Sequence, residues 1–430
     1  MKRKIIALFL SMLCIFSVFS LPSVSAADYE NVLTSEQIAV FNAGHGFLVY
    51  GKEEHKKAVP GSTVKIMTAL LALEYFEGSL DTVVTVPSAA LRGLEGSAVL
   101  NLKAEEQIPV IDLIHATLIA GMNDAANTLA FAIGGTMVGF VGKMNAKAKE
   151  LGAFNTMYVD ATGISSSSYT TAYDTAQIAA YAYENDLFME ICSKRAYSVP
   201  PTNIHQAVTI YTRNSFLTPQ SDYYYKNAEG ISTSYSSSAG AQLVCAASHG
   251  NDPYICVAFG SKKDENGTIG GYNDVKQLLS WASYNFAERK VLDKSQIICE
   301  LPVRAGKDVA HVLVVPYASV YAFLDKDADL SQIKLSKQLY YDRLDAPVQK
   351  GDCVGTLTIT LDGVPIGETP LIAKSNVRQS SSGKLLLLLE SILTSKIFLI
   401  VLLLALPFLG IYVYRKVKHF KRKSGKPKNP

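Results

Sequence analysis

The apolar patterning changes character near residue 296, and that change constrains the fold more than any other feature of the chain. Before it, helix-period and strand-period stretches mix without an internal repeat. After it, short β-rich runs follow one another at residues 297–303, 309–315, 317–324, 354–361 and 369–373. Turn residues such as Ala305-Gly306, Lys350-Gly351-Asp352 and Asp362-Gly363 separate them. The pattern predicts a mixed body at 27–292 and a small all-β domain at 296–378.

Within the body, residues 37–49 read as a hairpin with its turn over 42–46. Residues 62–76 (STVKIMTALLALEYF) are apolar at helical spacing and broad enough for a buried helix. Residues 110–133 and 138–151 continue the helical pattern. A strand, a loop and a hairpin follow over 230–260, with 241–246 and 254–259 paired across a turn at 249–253. A glycine-rich break at 267–273 precedes a helix over 274–289. The expected fold class is α+β, with helices packed on an antiparallel sheet.

Both ends of the chain read as addresses. Met1–Lys4 is basic, residues 5–21 are largely apolar, and Val24-Ser25-Ala26 offers small residues for cleavage, the pattern of a signal peptide at 1–26. A joint at 379–396 contains the apolar helical stretch 385–393, expected to lie on a membrane surface. Residues 397–414 are uncharged and long enough for a transmembrane helix. The tail 415–430 opens with Arg415, Lys416, Lys418, Lys421, Arg422 and Lys423, which orients the C-terminus to the cytoplasm. The two signals agree on a single-pass cell-membrane protein with an extracellular body.

These ends also disguise the charge of the body. The chain carries 41 basic and 38 acidic residues. Twelve of the basic residues lie at 1–26 and from Lys396 onward, where there are no acids; the remaining 29 face all 38 acids, a net of −9. A nucleic-acid function is excluded, since binding the phosphate backbone needs a basic face.

Five cysteines lie beyond the leader, at 192, 245, 256, 299 and 353. No disulfide framework, CxxC or HxxxH pair appears among them, so no metal and no cofactor is expected. Cys245 and Cys256 are symmetric about the turn expected at Gly250-Asn251; a disulfide and two buried free thiols are both open for that pair. The seven histidines are scattered and form no recognisable Ser-His-Asp arrangement.

The strongest chemical candidate is Ser62-Thr63-Val64-Lys65. If Ser62 opens the buried helix, Lys65 lies one turn on along the same face. A serine hydroxyl needs a base within reach, and a lysine desolvated by apolar neighbours can lose its proton near neutral pH. The helix N-terminus also favours negative charge developing at Ser62. On these residues alone, Ser62 could equally be a helix cap.

Context extends the match. Asn123-Asp124-Ala125-Ala126-Asn127, Met144–Gly152, Asp160-Ala161-Thr162-Gly163 and Thr170–Asp174 occur in the order seen in one family, as do Ala346–Gly351 and Pro370-Leu371 in the β domain. Over residues 30–378 the chain resembles the low-molecular-weight penicillin-binding proteins, the serine-type D-alanyl-D-alanine carboxypeptidases. The resemblance implies a three-part site of Ser-x-x-Lys, Ser-x-Asn and Lys-Thr-Gly. Ser62 would be the nucleophile, Lys65 its base, and Asn123 would position the acylated substrate. Thr233 would bind the substrate edge or its carboxylate. The implied partners are a peptidoglycan stem peptide ending in D-Ala-D-Ala and, as inhibitors, β-lactams.

Two of the three motifs depart from that pattern. Gly121-Met122-Asn123 has glycine where serine belongs, removing a hydroxyl that would relay a proton to the leaving amine. Gly230-Ile231-Ser232-Thr233-Ser234 stands where Gly-x-Lys-Thr-Gly is expected, so Ser232 occupies the place of the carboxylate-binding cation. The substrate-binding candidates are therefore Ser232 and Thr233, with Ser234 a possible obstruction at the strand edge. Lys262, Lys263 and Arg213 are the cations that could compensate. Two functions follow: trimming of stem peptides through a Ser62 acyl-enzyme, or a catalytically impaired relative that binds wall peptide or a protein partner. A β-lactamase is a weaker reading, because no deacylating glutamate is evident.

Overall fold

A five-stranded antiparallel sheet organises the first part of the molecule. In the computed structural model, residues 33–249, 252–393, 395, 404–408 and 410–416 are described. The chain divides into two units, residues 1–288 with 323–328, and residues 289–322 with 329–430.

In the first unit, β1 (Gln37–Asn42), β2 (Phe47–Lys52), β3 (Ala228–Ser236), β4 (Gly240–His249) and β5 (Asp252–Phe259) lie in the order β2-β1-β5-β4-β3. Strand alternation divides their side chains between two cores. Ala39, Phe41, Val244, Ala246, Ile255 and Val257 pack with the helices of one layer. Ile38, Val40, Leu243, Cys245, Cys256 and Ala258 pack against Val275, Leu278 and Leu279 on the other. That second layer is the helix Gly271–Asn285. The expected hairpin over 37–49 and the pairing of 241–246 with 254–259 are both present.

The first layer holds α1 (Val64–Tyr75), α2 (Val110–Ile119), α3 (Asn123–Gly134), α4 (Met137–Glu150), α5 (Ala172–Tyr183) and α6 (Asp186–Ser193); α7 is Gly271–Asn285. The single helix expected over 110–133 is two. Gly121 adopts φ +66°, Met122 is extended, and the Met122 amide returns to Ala116 O, which closes α2 and restarts the chain as α3. The helix expected over 274–289 ends at Asn285, because residues 286–292 alternate as a strand with Phe286 and Leu292 buried. Thr171 and Asn185 cap α5 and α6 through their side-chain oxygens.

Cys245 and Cys256 face each other in register, and both are buried free thiols held protonated by desolvation. The turn expected at 250–251 lies outside the described residues.

The second unit carries a six-stranded sheet in the order Ile333–Leu339, Cys353–Leu361, Val364–Ala373, His311–Pro316, Cys299–Arg304 and Leu344–Asp345. Leu301, Val312, Val314, Leu357, Ile359 and Leu371 fill its core. Asp362 and Gly363 both have positive φ and form the two-residue turn joining two of its strands. α8 (Ser381–Leu393) follows, and Arg304 bridges Asp345 and Glu390 at 2.7 and 2.9 Å.

The expected leader at 1–26 lies outside the described residues. So do 397–403 and 409 of the apolar run and 417–430 of the tail. Among the described residues no single helix is long and apolar enough to cross a membrane.

Candidate active site

The turn Pro60-Gly61-Ser62-Thr63 carries the nucleophile candidate. Gly61 has φ +53°, and residues Gly61–Thr63 form a 3-10 turn that leads into α1. Thr63, not Ser62, occupies the N-cap, and its hydroxyl donates to Pro60 O at 2.7 Å. Ser62 is therefore not a helix cap; it lines a cavity of about 380 Å³. The local order explains its position, since the tight turn tips Ser62 out of the helix while the next residues are drawn into the core.

Lys65 is 4% exposed, and its Nζ donates to Thr162 O at 2.7 Å. Ile66, Met67, Leu70 and Leu73 are buried on the same helix. At about 1.5–3 kcal/mol for each large side chain, their burial stabilises by roughly 6–12 kcal/mol as an upper figure. That is enough to hold the amine in place, so it sheds its proton instead of escaping to water. Desolvation lowers its pKa from 10.5 to about 7, Asp160 opposes the shift, and Arg213 adds to it.

The loop bearing Thr162 is built around Asp160. Its carboxylate accepts from Thr162 N at 2.7 Å, Thr162 Oγ1 at 3.0 Å, Ser165 N at 2.9 Å and the Gly163 amide. Gly163 has φ +78°, and a Cβ there would sit 1.7 Å from Gly61 O. Thr68 Oγ1 donates to Ala161 O at 2.7 Å, a further tie to α1. The loop is thus seated on the nucleophile turn.

Asn123 opens α3, is 5% exposed, and its amide donates to Ala98 O at 2.8 Å. Its Oδ1 has no hydrogen-bond partner among the described residues. Asp124 is a structural anchor, accepting from Leu100 N and Leu102 N at 2.8 and 3.0 Å and from Ala125 N at 3.0 Å.

β3 is the sheet's edge strand and forms a wall of the cavity. Register pairs Ser232 with Val244 and Ser234 with Gln242, while Thr233 pairs with Leu243. Alternation therefore gives Ser232 and Ser234 the α1 face and Thr233 the α7 face. Thr233 Oγ1 donates to Arg213 O at 3.3 Å and lies near the Tyr272 hydroxyl. The Ser234 hydroxyl is tied back to Gln242 Oε1 at 2.9 Å, beside Gly61.

All five residues singled out in the sequence, Ser62, Lys65, Asn123, Ser232 and Thr233, line the same cavity. Arg213 joins them, its amide donating to Ile119 O at 3.2 Å; Lys262 and Lys263 do not line it. Sequence reasoning missed Thr117, Asn214 and Tyr272, which also line the cavity and whose separation along the chain carries no local signal. Among the described residues no group of three or more His, Cys, Asp or Glu side chains is arranged to hold a metal ion.

The family model described as D-alanyl-D-alanine carboxypeptidase matches residues 24–263, and that of the penicillin-binding protein 5 C-terminal domain matches 286–379. D-alanyl-D-alanine carboxypeptidase DacF of Bacillus subtilis is 28% identical over 342 residues, covering 78% of this chain and 84% of that protein. DacA of Haemophilus influenzae is 28% identical over 399 residues, covering 90% and 96%. The crystal structure of penicillin-binding protein 5 from Haemophilus influenzae superposes with a TM-score of 0.62 at 26% identity, over 81% of this chain and 98% of that one. With an S11-type catalytic unit followed by a penicillin-binding protein 5-like β domain, the chain belongs to the serine-type D-alanyl-D-alanine carboxypeptidase family.

Proposed function

We propose that this protein trims peptidoglycan stem peptides by hydrolysing the terminal D-Ala-D-Ala bond through a Ser62 acyl-enzyme. The observation that carries the reading is a buried Lys65, poised to be neutral near pH 7, in one cavity with Ser62 and an unpartnered Asn123 Oδ1. Lys65 takes the Ser62 proton as Oγ attacks the carbonyl between the two alanines. The C–N bond breaks, the terminal D-alanine leaves with a proton, and water then hydrolyses the ester. Asn123 holds the acylated peptide, and the β3 edge with Thr233 aligns its backbone.

In this reading Arg213 supplies the positive charge that Ser232 lacks. A charge-assisted hydrogen bond is worth ~1.5–3 kcal/mol, roughly ten- to a hundredfold in binding or rate. Ser232 and Gly121 favour the second reading, a relative that binds wall peptide without turnover. The test is the intact mass of the protein after long incubation with a fluorescent penicillin, with Ser62→Ala alongside. One adduct, abolished by Ser62→Ala, supports the acyl-enzyme; no adduct on folded protein selects the binding role.

We also propose export and anchoring at the cell membrane, with the body outside and the basic tail in the cytoplasm. The basic-then-apolar leader, the uncharged run 397–414 and the cations after it support that topology. The exposed Leu385, Leu386, Leu388, Leu389 and Leu393 of α8 suit a helix lying at the membrane surface.

A further inference from the structure

Ser234 stands on β3 where the family pattern has glycine, and its side chain is not loose in the cavity. It pairs in register with Gln242 on β4, and its hydroxyl donates to Gln242 Oε1 at 2.9 Å. Gln242 is 2% exposed, and its Nε2 donates to Ala239 O at 3.3 Å and to Gly240 O at 3.1 Å. Those two bonds commit the amide nitrogen to the turn between the strands. A flip of the side-chain amide would set its oxygen against two carbonyl oxygens, so Oε1 is held towards Ser234.

The same oxygen fills the notch beside Gly61. A Cβ at Gly61 would lie 2.7 Å from Gln242 Oε1 and 3.3 Å from Ser234 Oγ. Gly61 immediately precedes Ser62, and its carbonyl oxygen is the atom on which Gly163 rests, 1.7 Å from where a Cβ at 163 would be. The nucleophile turn is therefore held at two points, by the Asp160 loop at the Gly61 carbonyl and by the Ser234–Gln242 pair at the Gly61 α-carbon.

Ser62 and Ser234 line one cavity, so the spacing between the turn and the strand is a dimension of the site itself. A peptide aligned along β3 must bring its carbonyl to Ser62 Oγ. Reacting atoms need to stand ~3–3.5 Å apart, and a displacement of about 1 Å costs on the order of a hundredfold in rate.

We propose that Ser234 and Gln242 are positioning residues, a hydrogen-bonded strut that sets the spacing between Ser62 and the β3 edge. The inference rests on the acyl-enzyme reading given above. The strut touches no reacting atom and acts on Ser62 through Gly61. It makes Ser234 a functional replacement for the family's glycine instead of an obstruction. A glycine at 234 takes the Ser234 donor from the buried Gln242 oxygen beside Gly61, and strand and turn shift to relieve it. Restoring the family residue alone therefore slows this protein.

The experiment is saturation kinetics of Ser62 acylation by a fluorescent penicillin on the full-length protein, which separates the limiting rate from the half-saturating concentration. Ser234→Gly, Ser234→Ala and Gln242→Leu are each expected to lower the limiting rate by about fivefold or more, with half-saturation within about threefold of wild type. Ser234→Gly combined with Gln242→Leu is no slower than the slower single variant, because both changes remove one interaction. Ser234→Thr keeps the hydroxyl and stays within about threefold of wild type. The rate is that of the molecules that become labelled, so a variant that merely folds less well shows a smaller labelled fraction at the wild-type rate.

A Ser234→Gly variant at the wild-type rate overturns the inference, and one faster than wild type marks Ser234 as an obstruction; either leaves the acyl-enzyme reading standing. Losses that multiply in the double variant, or a Ser234→Thr variant as slow as Ser234→Gly, also overturn the strut. A folded wild-type protein that forms no Ser62 adduct overturns the acyl-enzyme reading, and the inference with it.

Discussion

Lys65 Nζ donates a 2.7 Å hydrogen bond to the carbonyl oxygen of Thr162, so a loop nearly a hundred residues away in sequence fixes the direction of the candidate base. The amine is desolvated on α1 and has its pKa lowered from 10.5 to about 7. Only the neutral amine can accept the Ser62 proton. Acylation, followed as kcat/KM or as penicillin adduct formation, is therefore expected to rise with pH through about 7 and level off above it. A rate independent of pH between 5.5 and 9 removes Lys65 from the role of base.

The same shift has a consequence for stability, with its sign set by linkage. Below pH 7 the folded protein holds a charged amine in the core, whereas the unfolded chain carries that charge in water. This destabilising contribution is complete below about pH 7 and is relieved as pH rises from there towards 10.5. Lys65→Met removes the titration. Its melting temperature relative to wild type is expected to be higher at pH 6 than at pH 9. Thermal melts at the two pH values check this, and an equal difference at both contradicts it.

Arg213 and Asp160 act on Lys65 with opposite signs. Removing the guanidinium in Arg213→Gln raises the Lys65 pKa and moves the acylation profile to higher pH. Removing the carboxylate charge in Asp160→Asn lowers it and moves the profile to lower pH. Arg213→Gln also weakens binding of a peptide with a free terminal carboxylate by roughly ten- to a hundredfold, the worth of one charge-assisted hydrogen bond. It leaves binding of an amidated peptide nearly unchanged. Profiles that shift in the same direction contradict this electrostatic arrangement.

What could be read from the sequence follows the range over which each interaction acts. Ser62 and Lys65 are three residues apart where a tight turn leads into α1, so local spacing revealed them, and strand alternation revealed the hairpins that build the sheet. α5 was missed because four of its seven buried residues are alanines, Ala172, Ala176, Ala179 and Ala182, and two more are polar, Asp174 and Thr175, so the contrast with the exposed face is weak. The break between α2 and α3 depends on one backbone angle at Gly121, which no apolar periodicity reports. Arg213, Thr117 and Tyr272 reach the cavity only through tertiary packing. The side of the sheet taken by Ser232 and Thr233 depended on register, and only the pairing with β4 settles it.

Ser232 faces the α1 side of the sheet and lines the cavity without a positive charge. Ser232→Lys restores a cation at the strand edge. Its expected effect is faster penicillin acylation and tighter binding of a free-carboxylate peptide, by about tenfold or more if the new ammonium makes a charge-assisted hydrogen bond. The added charge also pushes the Lys65 pKa lower, so the gain is largest at and below neutral pH. Stopped-flow acylation at pH 6.5 measures it. A rate equal to or below wild type would show that Arg213 already meets the carboxylate and that the two cations compete.

Gly163 is the contact on which the site geometry depends most sharply. Its φ of +78° is one that an L side chain adopts at a cost of ~1–2 kcal/mol. Its Cβ position also lies 1.7 Å from Gly61 O, which is backbone and cannot swing aside. Gly163→Ala must therefore lift the Asp160 loop from the nucleophile turn, carrying Thr162 O away from Lys65. The expected result is a stability loss of at least about 2 kcal/mol, with slower Ser62 acylation in the fraction that folds. Loss of the Thr162 acceptor also frees the amine to reach water, so its pKa rises towards the ordinary value and the pH midpoint of acylation moves upward. Denaturant melts and the acylation profile of the same variant give both readouts. A variant as stable and as fast as wild type would mean that the loop does not rest on the Ser62 turn in solution.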